Sequence, residues 1–324
     1  MFELIKKLML VPSVSGREDK IREVIIDEVT PYADEVVVDN IGNLIVHKRG
    51  EGKKIMLCAH MDEIGFFVTF ITSDGYIKVS PVGGINTLSS AFCEVVSEKG
   101  VCGVLVPESS KDLPKVEDMY IDIGARNKKQ AESKVELGDF FVVKPSIKRL
   151  MNQRYVGRPF DDRISCAVLI EALKKVKSNN DLYFVFSAQE EVGGRGAKAA
   201  AYRIAPDIGL AVDVTMTGDK PGSKPMDVSL GKGCTIKIKD SSVISNPQLV
   251  KEMKEIAKAR GIKFQSEMLI AGGTDAAPIQ IAGKGSRVSA ISIPTAYIHS
   301  NCEMIDMGDY KEAVKLAVAL CEEL

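Results

Sequence analysis

The chain has 324 residues, enough for one large domain or two ordinary ones, and 45% of them are hydrophobic. Its 43 basic and 44 acidic residues leave a net charge of −1, and no block of like charge stands out, which argues against a nucleic-acid partner. No apolar run approaches the roughly 18 residues that a membrane helix needs, and "MFELIKKLMLVPSVSG" lacks a secretory core because Glu3, Lys6 and Lys7 interrupt it.

Phe2, Ile5 and Leu8 have helical spacing over 2–10. Ser15 and Glu18 fit a capping box that opens a second helix through about Val29. Residues 33–50 give two short strands about an Asn40-Ile41-Gly42 turn, and "KKIMLCAHMD" (53–62) is a buried strand. From about 66 to 157 the texture changes to short Val, Ile and Phe strands punctuated by Gly and Pro; only "NKKQAESKVEL" (127–137) reads as a helix there. After Gly157, helices at 161–179, 193–204, 246–261 and 309–324 alternate with apolar strands at 181–191, 207–215 and within 286–300. That alternation predicts an α/β fold with a mixed, partly parallel sheet flanked by helices. The simplest division is one domain made of 1–66 and 157–324, interrupted by a small β-rich domain over 67–156.

The seven cysteines are odd in number and include no Cys-x-x-Cys pair. They read as free thiols in a reducing cytoplasm, not as a disulfide frame or a zinc site.

Polar clusters sit where apolar strands end or helices begin. His60 and Asp62 are two apart at a strand end, so their side chains share a face. Asp161 and Asp162 precede a helix, Glu190 and Glu191 end a strand, Asp213 lies in an apolar run, and His299 follows another. Each alone fits an ordinary role: an N-cap aspartate, a surface glutamate pair, a satisfied core histidine. But the chain has only three histidines. His60 and His299 follow apolar runs, while His47 flanks a turn. In open α/β sheets ligands bind beyond the carboxyl ends of the strands, so one shared site accounts for all five clusters. Two imidazoles with several carboxylates suit a pair of divalent ions such as Zn²⁺, Co²⁺ or Mn²⁺. Such a pair shares a bridging carboxylate and activates water, and a carboxylate that is not a ligand moves the proton.

The ordered set "AHMDEIGF", "DDR", "QEEVG", "AVDVT", "GGTDA" and "IHS" resembles the M42 family of dinuclear metallo-aminopeptidases. The likeness runs over nearly the whole chain in the family's order. Some members are named glutamyl or deblocking aminopeptidases, others endoglucanases. The resemblance implies a zinc-exopeptidase-like fold with an inserted PDZ-like barrel that mediates self-association, from dimers up to a dodecamer. It implies two metal ions per subunit and peptide substrates. His60, Asp161 and Asp213 would hold one ion; Asp161 would bridge to the second, completed by Glu191 and His299. Glu190 would be the general base, and Asp62 would orient His60 through its other ring nitrogen. A cis Asp161–Asp162 peptide is expected. "AGGTDAAPI" (271–279) would be a loop beside the substrate pocket, although it reads equally well as a helix start capped by Thr274 or Asp275. The loop 218–233 is expected to border the site. One departure is the segment 106–125, shorter than the family's usual loop, which bears on the higher assembly. The alternatives are a related metallo-carboxypeptidase or deacylase, an endoglucanase, and a non-catalytic relative. The absence of Trp and the 6% aromatic content leave few platforms for sugar stacking.

Overall fold

The structure is a computed structural model that describes residues 1–324 except 110–113 and Lys224. Four parallel strands form the middle of a large mixed sheet, side by side in the order Asp181–Ser187, Lys54–His60, Ile208–Thr215 and Arg287–Ala296. Antiparallel strands extend both flanks. Leu44–Lys48 and Glu35–Val38 lie beyond the first of the four. Glu303–Asp306, Arg154–Arg158 and Ser146–Arg149 lie beyond the last. Cys234–Lys239 branches off, pairing with both Arg287–Ala296 and Phe264–Met268.

The central strands are apolar along their length because helices cover both faces. Ile55, Leu57 and Ala59 pack into the core under helices Phe2–Met9, Asp19–Val29, Arg163–Lys175 and Met307–Glu323. The alternate residues Met56 and Cys58 face Ala197, Ala200 and Ile279, from helices Arg195–Ile204 and Ala276–Gln280 on the opposite side.

Between Gly65 and Val143 the chain leaves this sheet and closes a second, antiparallel one on itself. Its six strands are Gly65–Ile71, Ile77–Val82, Met119–Asp122, Cys102–Pro107, Glu94–Ser97 and Phe140–Val143, in that order around the barrel. Phe66, Val68, Val79, Leu105, Ile121 and Phe141 fill it. Closure leaves this sheet without a free edge. The chain rejoins the large sheet at Ser146–Arg149.

Several local expectations change. Ser15 does not cap a helix: its hydroxyl donates to Asp62 Oδ2 at 2.6 Å, and the helix starts at Asp19 with no side-chain cap. Glu18 instead accepts from the N–H groups of Gly16 and Gln189. The helix expected over 127–137 is the short Lys128–Glu132, capped by Asn127. The strands Cys234–Lys239, Phe264–Met268 and Glu303–Asp306 were not anticipated. Part of the segment 106–125 lies outside the described residues. All seven cysteines are free, and Cys58, Cys166, Cys234 and Cys321 are buried. Among the described residues no helix is long and apolar enough to cross a membrane.

Candidate metal centre

Parallel strands end on the same side of a sheet, and that geometry builds the site. Lys54–His60 ends in a ligand candidate, Ile208–Thr215 carries Asp213 near its end, and Asp181–Ser187 leads into Glu190 and Glu191. Arg287–Ala296 runs into a turn that holds His299 in left-handed backbone, φ +60. Asp161 and Asp162 follow the strand Arg154–Arg158, which lies beyond Glu303–Asp306 in the sheet, just before the helix Arg163–Lys175. Their peptide is cis, as is Arg158–Pro159. His60, Asp161, Glu190, Glu191, Asp213 and His299 all line one cleft of about 520 Å³.

Asp161 stands between the two imidazoles. Its Oδ1 lies 3.2 Å from His60 Nε2, and its Oδ2 lies 3.3 Å from His299 Nε2. Glu191 Oε1 is 3.4 Å from the same His299 nitrogen. Glu190 Oε2 is farther out, 4.0 Å from His60 Nε2. Two triads have donor atoms all within 4.8 Å of one another: His60, Asp161 and Glu191; and His60, Asp162 and Asp213. The second includes Asp162, which was not among the expected ligands. One of its oxygens accepts from the His60 N–H at 3.3 Å, and the other is buried without a partner.

Asp62 stands at the other ring nitrogen of His60 and also holds the chain beyond it. The closest partner of His60 Nδ1 is the Asp62 backbone carbonyl, at 3.0 Å; the Asp62 carboxylate is 3.5 Å away. That carboxylate accepts from Ser15 Oγ and from the N–H groups of Glu190 and Glu191, at 3.0 and 3.2 Å for the two amides. Asp62 therefore fixes the turn that presents both glutamates.

The sequence reading passed over several supports. Glu303 is buried and accepts from the N–H groups of Phe160, Asp161 and His299, tying two ligand-bearing segments together. It lies four residues after His299 in "TAYIHSNCE", which was its only signal. Arg158 donates to the carbonyls of Ser300 and Ile64. Gly83 has φ +72, and a Cβ there would come within 2.5 Å of Ile64 Cγ2 and 3.1 Å of Glu191 Oε2. A Cβ on Gly84 would meet His299 Nδ1 at 3.1 Å. The barrel's Gly-Gly turn thus passes close over the centre, where side chains would crowd it.

Both readings of 271–279 hold in part. Ala276–Gln280 is a short helix, with Thr274 Oγ1 accepting from the Ala276 N–H, while Ala271, Gly272 and Gly273 line the cleft. Asp275 is buried, accepting from Ser187 Oγ and Cys58 Sγ. Among the described residues, none of 218–233 lines the cleft.

The donor set fits divalent cations. Two donors on a tetrahedral Zn²⁺ with arms of about 2.0–2.1 Å stand about 3.3–3.4 Å apart, close to the spacings of 3.2, 3.3 and 3.4 Å among His60, Asp161, His299 and Glu191. The buried Asp161 Oδ1 has no hydrogen bond. Without cations the charges conflict. Burial, with carboxylates nearby, pushes the Asp213 and Glu190 acids well above the usual range and raises Glu191. Burial alone would lower His299, but Asp161 and Glu191 outweigh it and push the ring up to about 11. For His60, too, burial is overcome by Asp161 and Asp62, which hold it well above its ordinary value. Positive charge placed among these groups relieves that conflict.

Residues 42–316 match the profile of the family described as M42 glutamyl aminopeptidase. A lysyl aminopeptidase of Pyrococcus furiosus is 37% identical over 339 residues, covering 100% of this chain and 97% of its own. The Pyrococcus horikoshii TET1 peptidase, described as assembling into a tetrahedron or a large octahedral shell, superposes with a TM-score of 0.92 at 37% identity, covering 100% of this chain and 99% of its own. A Thermotoga maritima structure described as an endoglucanase has a TM-score of 0.84 at 32% identity, covering 98% and 96%.

Proposed function

Because the chain belongs to the M42 glutamyl aminopeptidase family, we propose that it removes N-terminal residues from peptides with two divalent cations held by His60, Asp161, Asp213, Glu191 and His299. The observation that carries this reading is Asp161, whose two oxygens face two different imidazoles at 3.2 and 3.3 Å. That is the arrangement a bridging carboxylate needs. When bound, Zn²⁺, Co²⁺ or Mn²⁺ at these residues polarises the scissile carbonyl and acidifies a water.

The chain's own residues supply the rest. Glu190 borders the cleft outside both candidate ligand triads, and Asp62 pins its backbone. Burial raises the basicity of its carboxylate, so the ionised group can take the attacking water's proton and pass it to the leaving amine. Asp62 holds the Glu190–Glu191 turn, and its carbonyl fixes the His60 ring. In the same proposal, 1–66 and 157–324 form the catalytic part, and 67–156 mediates self-association, as assembly of the TET1 relative supports. Seven unpaired cysteines support a reducing cytoplasmic location.

The endoglucanase description of one neighbour raises the second reading. A glycosidase normally sets two carboxylates about 5–10 Å apart across an acetal. Here the acids crowd around imidazoles, and the chemistry suits a carbonyl, which an amide has and an acetal lacks. The test is a side-by-side assay on free peptides, N-blocked peptides and soluble cellulose, with and without chelator. We expect chelator-sensitive cleavage of free peptides only. Chelator-sensitive sugar release that vanishes in Glu190→Gln, with no peptide cleavage, would overturn the proposal, and preference for blocked peptides would favour a deacylase.

A further inference from the structure

The wall of the cleft beyond the metal centre is apolar. Ile85 comes from the barrel's turn after Gly84, Val214 and Met216 follow Asp213, Leu269 precedes the Gly272–Gly273 turn, and Ile298 precedes His299. Asn86 and Thr215 also line it, and neither carries charge. Among the described residues, every charged side chain lining the cleft already belongs to the centre. Lys220, Asp219 and Asp240 are not among the residues that line the cleft. The Lys220 amine donates to the Thr217 carbonyl and sits 5.5 Å from the centroid of the Tyr297 ring. Asp219 accepts from the Leu230 N–H. Asp240 accepts from Ser242 and Val243 and faces Lys237.

Resting on the aminopeptidase reading, we propose that this cleft receives an uncharged aliphatic N-terminal residue, such as leucine or methionine, and disfavours lysyl and glutamyl termini. A charged side chain entering it exchanges hydration for methyl and methylene groups and, among the described residues, meets no charged lining side chain outside the centre. The proposal therefore separates this chain from the lysyl specificity in the name of one relative and the glutamyl specificity in the name of the family.

The experiment is a panel of aminoacyl-4-nitroanilides (Leu, Met, Lys, Glu) measured as kcat/KM with Zn²⁺ and with Co²⁺, together with unblocked peptides. The leucyl and methionyl substrates should exceed the lysyl and glutamyl ones on the order of 100-fold. Met216→Glu adds an acid at a position 46% exposed, where folding is spared, and should move the Lys-to-Leu ratio up on the order of 10-fold or more. A wild-type enzyme that prefers Lys or Glu overturns this inference and leaves the aminopeptidase reading standing. A Met216→Glu variant with unchanged selectivity overturns the placement of the substrate side chain against this wall. No cleavage of any anilide or peptide with either metal overturns the underlying reading itself.

Discussion

At the scale of single residues, the proposal assigns the adjacent glutamates different work. Glu191 stands 3.4 Å from His299 Nε2, whereas Glu190 keeps 4.0 Å from His60 Nε2. Glu190→Gln should therefore retain two metals per chain and lose on the order of 100-fold or more in turnover, while Glu191→Gln should lose metal. Metal analysis and activity of the two purified variants decide, and the opposite pattern would reverse the roles. Protons compete with cations for the same atoms. Without metal, burial and neighbouring carboxylates keep Asp213, Glu190 and Glu191 protonated to higher pH than usual, and His299 holds its proton up to about 11. Each cation must displace protons, so affinity rises with pH through neutrality. Zinc calorimetry at about pH 6 and about pH 8, in buffers of differing ionisation enthalpy, should show tighter binding at the higher pH and proton release. Equal affinity without proton release would count against the site. That His60, Asp161, Glu190, Glu191, Asp213 and His299 gather at one cleft was legible in the sequence because these polar residues sit where apolar strands end or helices begin. The direction of the Asp62 carboxylate was not legible. A strand's period places it on the His60 face, but only the fold brings Ser15 and the Glu190 and Glu191 amides to it.

At the scale of elements, the strand Cys234–Lys239 shows what periodicity misses. Its "CTIKIK" pattern reads as exposed because of the lysines, yet Lys237 is fully buried. The amine pairs with Glu267 Oε1 at 2.5 Å, and Asp240 Oδ2 lies 3.4 Å away. Glu267 from the neighbouring strand Phe264–Met268 and Asp240, three residues further along the chain, offset the buried charge. These residues lead into the Leu269–Gly273 wall of the cleft. Lys237→Met should strand two buried carboxylates and cost about 3–5 kcal/mol in urea unfolding. Adding Glu267→Gln should recover part of the loss; if the double variant is no more stable than the single one, the pairing is not what holds this strand. The large sheet was legible in broad outline because its buried strands are long apolar runs, while short strands such as Glu303–Asp306 carry too few residues to show a period.

At the scale of the whole molecule, closure of the barrel removes strand edges as a route to association. Exposed apolar side chains remain on it, including Phe70, Leu88, Phe92 and Leu137, with Phe92 67% exposed. A homo-oligomer, at least a dimer, held through this region is the expected state. Light scattering on the wild type and on Phe70→Asp and Phe92→Asp should show an assembly that these changes weaken. A wild type that is monomeric and fully active would sink this expectation. The candidate ligands run from His60 to His299, each in a different stretch of chain, and only the native sheet brings them together. An unfolded chain therefore has no comparable site, and cations bound as proposed would act as a thermodynamic latch on the folded state. At free ion about 100 times the Kd, one site adds about 2.7 kcal/mol to the stability. Melting temperature should climb with added zinc or cobalt and fall on chelation, making heat resistance a direct gauge of how fully the enzyme is loaded.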